Sequence, residues 1–271
     1  MPNKFGGQWT AIKLNVLQQY LNAYLKVMKN QPFNLVYIDA FAGSGQVQIA
    51  KGRLIDGSTK IALDTKGFDH YVFVEQDLKH VEELRRVCEP YKRDGVNIRI
   101  LPGDANDRLL SQVKGYPWKV RGVAFLDPYG MELQWDTLKA LAQTKKLDIW
   151  YLFPLGGLYR QAPKDPIHID EVKRTAIDRI LGTPEWYNTL YRESRQPTLF
   201  AEFERPERAD VDGIERYVKR RLETVFAHVA GPLRLPKGGP PRFSLFFGVS
   251  NPNPSVGKIA IDIADHILRH A

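Results

Sequence analysis

Apolar residues along this chain fall into two rhythms. Four short runs, Leu35-Val-Tyr-Ile38, Tyr71-Val-Phe-Val74, Ile98-Arg-Ile-Leu101 and Val123-Ala-Phe-Leu126, lead into Asp39, Glu75, Gly103-Asp104 and Asp127, and a helical stretch follows each. A fifth, Leu147 to Phe153, follows the helical pattern of Trp135 to Gln143. Short continuous apolar runs alternating with helices are the pattern of a parallel sheet covered on both faces, which predicts a doubly wound α/β fold. Ahead of the first strand, Ile12, Leu14, Leu17, Tyr20, Leu21, Tyr24, Leu25 and Met28 recur at three and four, so a helix capped by Thr10 should pack on the sheet.

The rhythm breaks after the fifth strand. Residues 155–211 hold Gly, Pro and Gln, two short helical patterns near 169–181 and 184–192, and the aromatics Trp186, Tyr187 and Tyr191, which read as exposed. We expect a helical subdomain (155–211) inserted into an α/β domain formed by residues 1–154 and 212–271. A helix from Gly213 to His228 then precedes a hairpin, Val229 to Leu235 and Phe243 to Val249, turned by Pro236-Lys-Gly-Gly-Pro-Pro241. A last helix, Ser255 to Leu268, closes the chain. An antiparallel hairpin is an unusual ending for a dinucleotide-binding fold.

With 271 residues, 43% apolar and 26% charged, the chain can bury a sizeable core, and disorder or a fibrous architecture is excluded. Its one cysteine, Cys88, rules out an internal disulfide and reads as a small buried hydrophobe. The six histidines show no ligand spacing, so no metal is assigned. No leader pattern and no run near the ~20 apolar residues of a spanning helix is present, and a cytoplasmic protein without a membrane anchor is expected.

Chemistry concentrates where the strands end. Gly43-Ser44-Gly45 forms a small-residue loop that lets backbone N–H groups approach a ligand. Gln48 stands where a dinucleotide fingerprint needs its third glycine, and no Lys-Ser/Thr completes a P-loop. Glu75 can accept both hydroxyl protons of a ribose, with Asp77 better placed to open the next helix. Asp104 can accept from an exocyclic amine, leaving Asn106 or Asp107 to cap the helix. In Leu126-Asp-Pro-Tyr-Gly130, the Asp127 carboxylate and Pro128 carbonyl are two acceptors at fixed spacing for an amino group, and Tyr129 offers a face to a flat heterocycle. The same four residues also make good turn chemistry. Lys13 reads as solvated, or as reaching an anionic group from the first helix. Arg160, Trp186, Tyr187, Tyr191 and Arg192 are a candidate substrate-facing surface, though aromatics at helical spacing also suit a core.

Taken in order, Asp39-Ala-Phe-Ala-Gly-Ser-Gly45, Phe73-Val-Glu-Gln-Asp77, Gly103-Asp-Ala-Asn106 and Leu126-Asp-Pro-Tyr-Gly130 resemble the class I S-adenosylmethionine-dependent methyltransferases, and specifically the three-Cys-motif partner protein (TcmP) family. The resemblance implies a Rossmann-like sheet and S-adenosylmethionine as cofactor. It implies contact with Asp39, Phe41, Ala42, Gly43, Ser44 and Gly45 around the methionine and ribose, Glu75 on the ribose hydroxyls, Gln76 beside the adenine and Asp104 at its amine. Asp127, Pro128, Tyr129 and Gly130 would form the loop beside the transferable methyl. Amino-methyltransferases acting on bases carry Asp/Asn-Pro-Pro-aromatic here, whereas this chain has its aromatic one position early and lacks the second proline. The family also implies a separate three-cysteine partner protein.

Three functions compete: methyl transfer to an amino group of DNA or RNA, a non-catalytic methyltransferase-like fold that docks the partner, and an NAD-type oxidoreductase, which the missing glycine and the hairpin disfavour. The formal charge of +8 refines the first two. Residues 1–30 carry four Lys and no acid, 31–154 carry 17 bases and 16 acids, 155–211 carry 9 and 10, and 212–271 carry 9 and 5. Any nucleic-acid surface is therefore expected on the first helix, on Arg216 to Arg221 and on Arg234 to Arg242, while the nearly neutral insert suits a protein partner.

Overall fold

A computed structural model describes residues 3–6, 8–49, 54–193, 206–237 and 239–271. Part of the 155–211 segment (residues 194–205) and position 238 of the hairpin turn lie outside the described residues.

The chain runs β1 (Asn3–Gly6), α1 (Gln8–Met28), β2 (Asn34–Asp39), β3 (Gln46–Ile49), β4 (Leu54–Asp56), α2 (Ser58–Thr65), β5 (His70–Glu75), α3 (Leu78–Arg93), β6 (Ile98–Pro102), α4 (Ala105–Val113), β7 (Val120–Leu126), α5 (Trp135–Gln143) and β8 (Leu147–Phe153). It continues through α6 (Leu155–Gln161), α7 (Glu171–Leu181), α8 (Trp186–Leu190), β9 (Tyr191–Glu193), β10 (Pro206–Arg208), α9 (Val211–Glu223), β11 (His228–Leu235), β12 (Phe243–Val249) and α10 (Pro254–His270).

Seven strands form the central sheet in the order β11-β12-β8-β7-β2-β5-β6. Neighbours from β8 to β6 pair in parallel, whereas β12 pairs antiparallel with both β8 and β11. This is the doubly wound sheet with a terminal antiparallel hairpin expected from the apolar runs, and the Rossmann-like sheet that the resemblance implies. Buried on both faces, β2 and β5 show no alternation after their first residue.

Each face carries its own apolar layer. One side packs α1, α2, α3 and α10 through Leu17, Tyr20, Leu63, Cys88 and Ala264 against Tyr37, Phe73, Phe125 and Phe247. The other packs α4 to α9 through Leu109, Leu138, Leu158, Ile177, Trp186 and Leu222 against Ile38, Ala124 and Ile149. Helices α6 to α8, which lie in the 155–211 segment, thus contribute to the same core as the sheet. Cys88 is fully buried, which pushes its thiol up to about 12. Among the described residues no helix is long and apolar enough to cross a membrane.

The apolar pattern misplaced some boundaries. The ninth helix begins at Val211 because Asp210 accepts from the Gly213 N–H at 2.8 Å, placing Gly213 inside the first turn, and it ends at Glu223 rather than His228. Helix α6 leaves no apolar helical pattern because Gly156 and Gly157 are poor helix formers; Gly157 packs tightly on Met131, and Gly156 lies at ordinary contact distance from Arg242. A Cβ on Gly157 would stand 3.0 Å from Met131 Cγ, and one on Gly156 would stand 3.4 Å from the Arg242 carbonyl.

Candidate active site

Strand order reverses beside β2: the chain proceeds outward through β5 and β6, then returns to lay β7 on the other flank of β2. Ligands in open α/β sheets bind beyond the carboxyl ends of strands at such a switch point. Register brings the two decisive loops together there, since Asp39 pairs with Phe125 and the Ala40 N–H donates to the Phe125 carbonyl at 3.1 Å.

A cavity of about 810 Å³ opens at this point. Phe41, Ala42, Gly43, Ser44 and Gly45 line one wall, Asp127, Pro128, Tyr129 and Gly130 another, and α1 supplies Trp9, Thr10 and Lys13. Gly45 has φ +81, a left-handed conformation that side chains rarely adopt, and its carbonyl accepts from the Gly57 N–H at 3.0 Å. A Cβ on Gly57 would come within 2.9 Å of that carbonyl, so small residues are required on both sides of the cradle.

Asp39 lies fully buried beneath this wall. Its Oδ1 accepts from the Phe41 N–H at 3.3 Å, and its Oδ2 has no hydrogen-bond partner among the described residues. Burial pushes its carboxyl up to about 7; the Ser58 hydroxyl and the Phe41 N–H oppose the rise, and the negative charges of Asp127 and Glu75 add to it.

Asp127 forms an ion pair with Lys13. The pair is largely withdrawn from solvent, with side-chain exposures of 12% for Lys13 and 23% for Asp127. Lys13 is therefore not a solvated lysine of an amphipathic helix. The Pro128 carbonyl accepts from the Gly130 N–H at 3.0 Å and keeps a second lone pair. Tyr129 is 47% exposed at the rim.

The nucleoside-facing candidates sit apart from this cavity. Glu75 is 4% exposed; its Oε2 accepts from the Gly43 N–H and its Oε1 from the Asp77 N–H, each at 2.8 Å. It thus fixes the glycine loop, while Asp77 caps α3 through the Lys79 and His80 N–H groups. Asp104 caps α4 by accepting from the Asn106 and Asp107 N–H groups, which corrects the assignment of that cap to Asn106 or Asp107. Asn106 is instead buried, donating to the Glu132 carbonyl and accepting from the Gln134 N–H and the Thr137 hydroxyl. Gln76 is exposed. Burial raises the Glu132 carboxyl, and the negative charges of Asp104 and Glu75 raise it further.

Of the candidate surface in the 155–211 segment, two aromatics take the core alternative. Trp186 and Tyr191 are buried, with Trp186 Nε1 donating to Asp178 at 2.5 Å and the Tyr191 hydroxyl donating to the Pro163 carbonyl at 2.5 Å. Helical spacing here marks core. Arg160 lines the cavity, and the Arg192 side chain lies outside the described residues. Arg242, named in the sequence only as part of a basic stretch, also reaches the cavity. Among the described residues no group of three or more His, Cys, Asp or Glu side chains is arranged to hold a metal ion.

Fold and site together define a Rossmann-like α/β protein with a ligand cavity at the switch point of its sheet. No protein-family model matches the chain, and no curated protein matches it in sequence. The structure is similar to a protein from Legionella pneumophila at 11% identity, over 94% of this chain and 92% of that one, with a TM-score of 0.48. It is similar to spermidine synthase from Thermotoga maritima at 12% identity, over 91% and 61%, with a TM-score of 0.43. It is similar to the N-terminal domain of EvdMO1, solved in the presence of SAH and D-fucose, at 9% identity over 86% and 82%, with a TM-score of 0.41.

Proposed function

We propose that this chain is an S-adenosylmethionine-dependent methyltransferase acting on an amino group of a nucleic-acid base, working with a three-cysteine partner protein as the TcmP resemblance implies. One observation carries the reading: the Gly43-Ser44-Gly45 cradle and the Asp127-to-Gly130 loop share a single cavity at the switch point. The residues present fit the cofactor. The cradle admits no side chain at Gly45 or Gly57, and Asp104, whose Oδ1 alone accepts the bonds of the α4 cap, suits a nucleoside edge that presents an amine donor.

When bound, S-adenosylmethionine supplies an electrophilic methyl group. The protein's part is alignment, because an in-line displacement gains most from holding the acceptor at the right distance and angle. Lys13 holds one oxygen of Asp127, which leaves the other oxygen and the Pro128 carbonyl to accept the two N–H bonds of an amine. That grip keeps the nitrogen lone pair directed out of the ring. Once the new N–C bond has formed, the nitrogen carries an extra proton, and Asp127 is placed to take it. A base within a duplex must be flipped out of the stack to reach this depth.

A second reading, a non-catalytic partner-docking protein, has an observation in its favour: Asp127 and Glu75 are both satisfied internally, by Lys13 and by the Gly43 and Asp77 N–H groups. Transfer of a tritiated methyl group to total RNA, DNA and protein, with and without the partner, separates the two. Incorporation into nucleic acid that Asp127→Ala lowers by at least ~100-fold, with S-adenosylhomocysteine affinity retained, is the expected outcome. Cofactor binding without transfer to any acceptor would favour the second reading, and nicotinamide binding without sulfonium affinity would overturn both.

A further inference from the structure

Among the described residues, four charged side chains line the cavity: Lys13, Asp127, Arg160 and Arg242. Lys13 and Asp127 neutralise each other, so the two arginines leave an excess of two positive charges in a space that must also admit a cationic sulfonium. Among the described residues neither arginine meets a carboxylate. Topology accounts for their meeting. Arg160 sits in the last turn of α6, directly beyond the carboxyl end of β8. Arg242 precedes β12, and because that strand alone runs antiparallel, its beginning lies at the edge where the parallel strands end, with Ser244 opposite Phe153.

The Gly156 N–H donates to the Arg242 carbonyl at 2.7 Å, which pins α6 to the start of β12. A Cβ on Gly156 would stand 3.6 Å from Arg242 Cα and 3.9 Å from Arg160 Nη1, so both arginines flank this one glycine. The Arg242 guanidinium carbon lies 5.4 Å from the centre of the Trp9 ring, which steadies it without cancelling its charge. On its other side α6 abuts the Asp127 loop through Gly157 and Met131. The order around the cavity is therefore glycine cradle, amine-holding loop, then the arginine pair.

We infer that Arg160 and Arg242 form a phosphate subsite, so that the acceptor is a nucleotide whose phosphate is gripped here while its base reaches Asp127 and Pro128. Guanidinium groups present paired N–H donors that match phosphate oxygens. An anion on the arginines balances the excess charge that the cofactor alone would worsen. The inference rests on the methyl-transfer reading for the direction of the base, whereas the anion site stands on its own residues.

Calorimetry on the full chain tests it with 5′-AMP, adenosine, a single-stranded oligonucleotide and S-adenosylhomocysteine as probes. The proteins are the wild type, Arg160→Gln/Arg242→Gln, the charge-retaining Arg160→Lys/Arg242→Lys, and Arg93→Gln as a distant control. The phosphate-bearing probes should bind the wild type more tightly than adenosine and lose at least ~10-fold in the Gln pair. Partial recovery is expected in the Lys pair and no change in the control or in S-adenosylhomocysteine affinity. Binding of 5′-AMP identifies a free nucleotide as the source, and binding of the oligonucleotide alone identifies a strand. Phosphate probes that fail to bind the wild type, or bind the Gln pair equally well, overturn the subsite. A loss confined to S-adenosylhomocysteine does the same, by assigning the arginines to the cofactor. If the wild type binds phosphate through the arginines but no S-adenosylhomocysteine, the subsite survives and the methyltransferase reading fails.

Discussion

Replacing Asp39 by asparagine removes one ionisable proton and almost no volume. In the folded protein the Asp39 carboxyl is pushed from 3.8 up to about 7, chiefly by burial. A carboxyl raised in this way costs nothing when both folded and unfolded states are protonated. Its cost appears as pH climbs past the unfolded value, where the unfolded chain ionises and the folded one does not, and it is complete above about 7. Three units at ~1.36 kcal/mol each put the full cost at about 4 kcal/mol, of which more than half accrues between about pH 5 and pH 8. Asp39→Asn should therefore be more stable than wild type at alkaline pH, by a margin that shrinks on acidification. Urea unfolding at several pH values measures this as a difference between two proteins. Asp148, also pushed up to about 7 by burial, titrates in both and largely cancels. A difference that stays flat within ~0.5 kcal/mol across that range would refute the assignment of a buried, proton-holding Asp39.

Gly45→Val should destabilise by about 1–3 kcal/mol and abolish S-adenosylhomocysteine binding by calorimetry, because φ is +81 there and a Cβ would stand 3.2 Å from Val87 Cγ1. Asp104→Asn should preserve the α4 cap and leave Tm unchanged, whereas Asp104→Ala should cost about 1 kcal/mol; a cofactor affinity that falls in the Asn variant identifies Asp104 as an adenine contact as well as a cap. Glu215→Ala should cost about 2 kcal/mol in urea unfolding, less than the ~3–5 kcal/mol of fully buried pairs, since its partner Arg234 is 43% exposed.

The central sheet could be read from the chain because strands buried on both faces leave uninterrupted apolar runs, and a polar residue marks each carboxyl end. Loops that belong to strand ends inherit that legibility: the cradle and the Asp127 loop needed only the register of β2 against β7 to become one cavity. Partnerships across long separations were not legible. Nothing local says that Lys13 pairs with a residue 114 positions away, or that Glu75 is turned onto Gly43. Arg242 was lost in a basic stretch because its proximity to the site depends on the antiparallel sense of β12. The aromatics near 186–191 stay ambiguous in the sequence for a related reason: surrounding Pro and Gly suit a surface and helical spacing suits a core, and only the packing under α9 puts Trp186 in the core.

The distribution of positive charge changes in meaning once its partners are seen. Lys13, from the basic first segment, is spent on Asp127, and Arg234 is held by Glu215 and Asp212, which raise its guanidinium above the usual arginine range. Arg221 turns to the Leu181 carbonyl and the Trp135 ring. A basic face running from α1 across α9 to the hairpin is thereby reduced at three of its members, each drawn into packing or an ion pair. What remains beside the chemistry is local, the two arginines flanking Gly156. Long electrostatic tracks bind nucleic acid through many phosphates and little geometry. A pair of guanidiniums beside the Asp127 loop works the other way: on the phosphate-subsite proposal it would fix one phosphate at a set reach from one reactive nitrogen, and recognition would follow the shape of a single nucleotide more than the net charge of the chain.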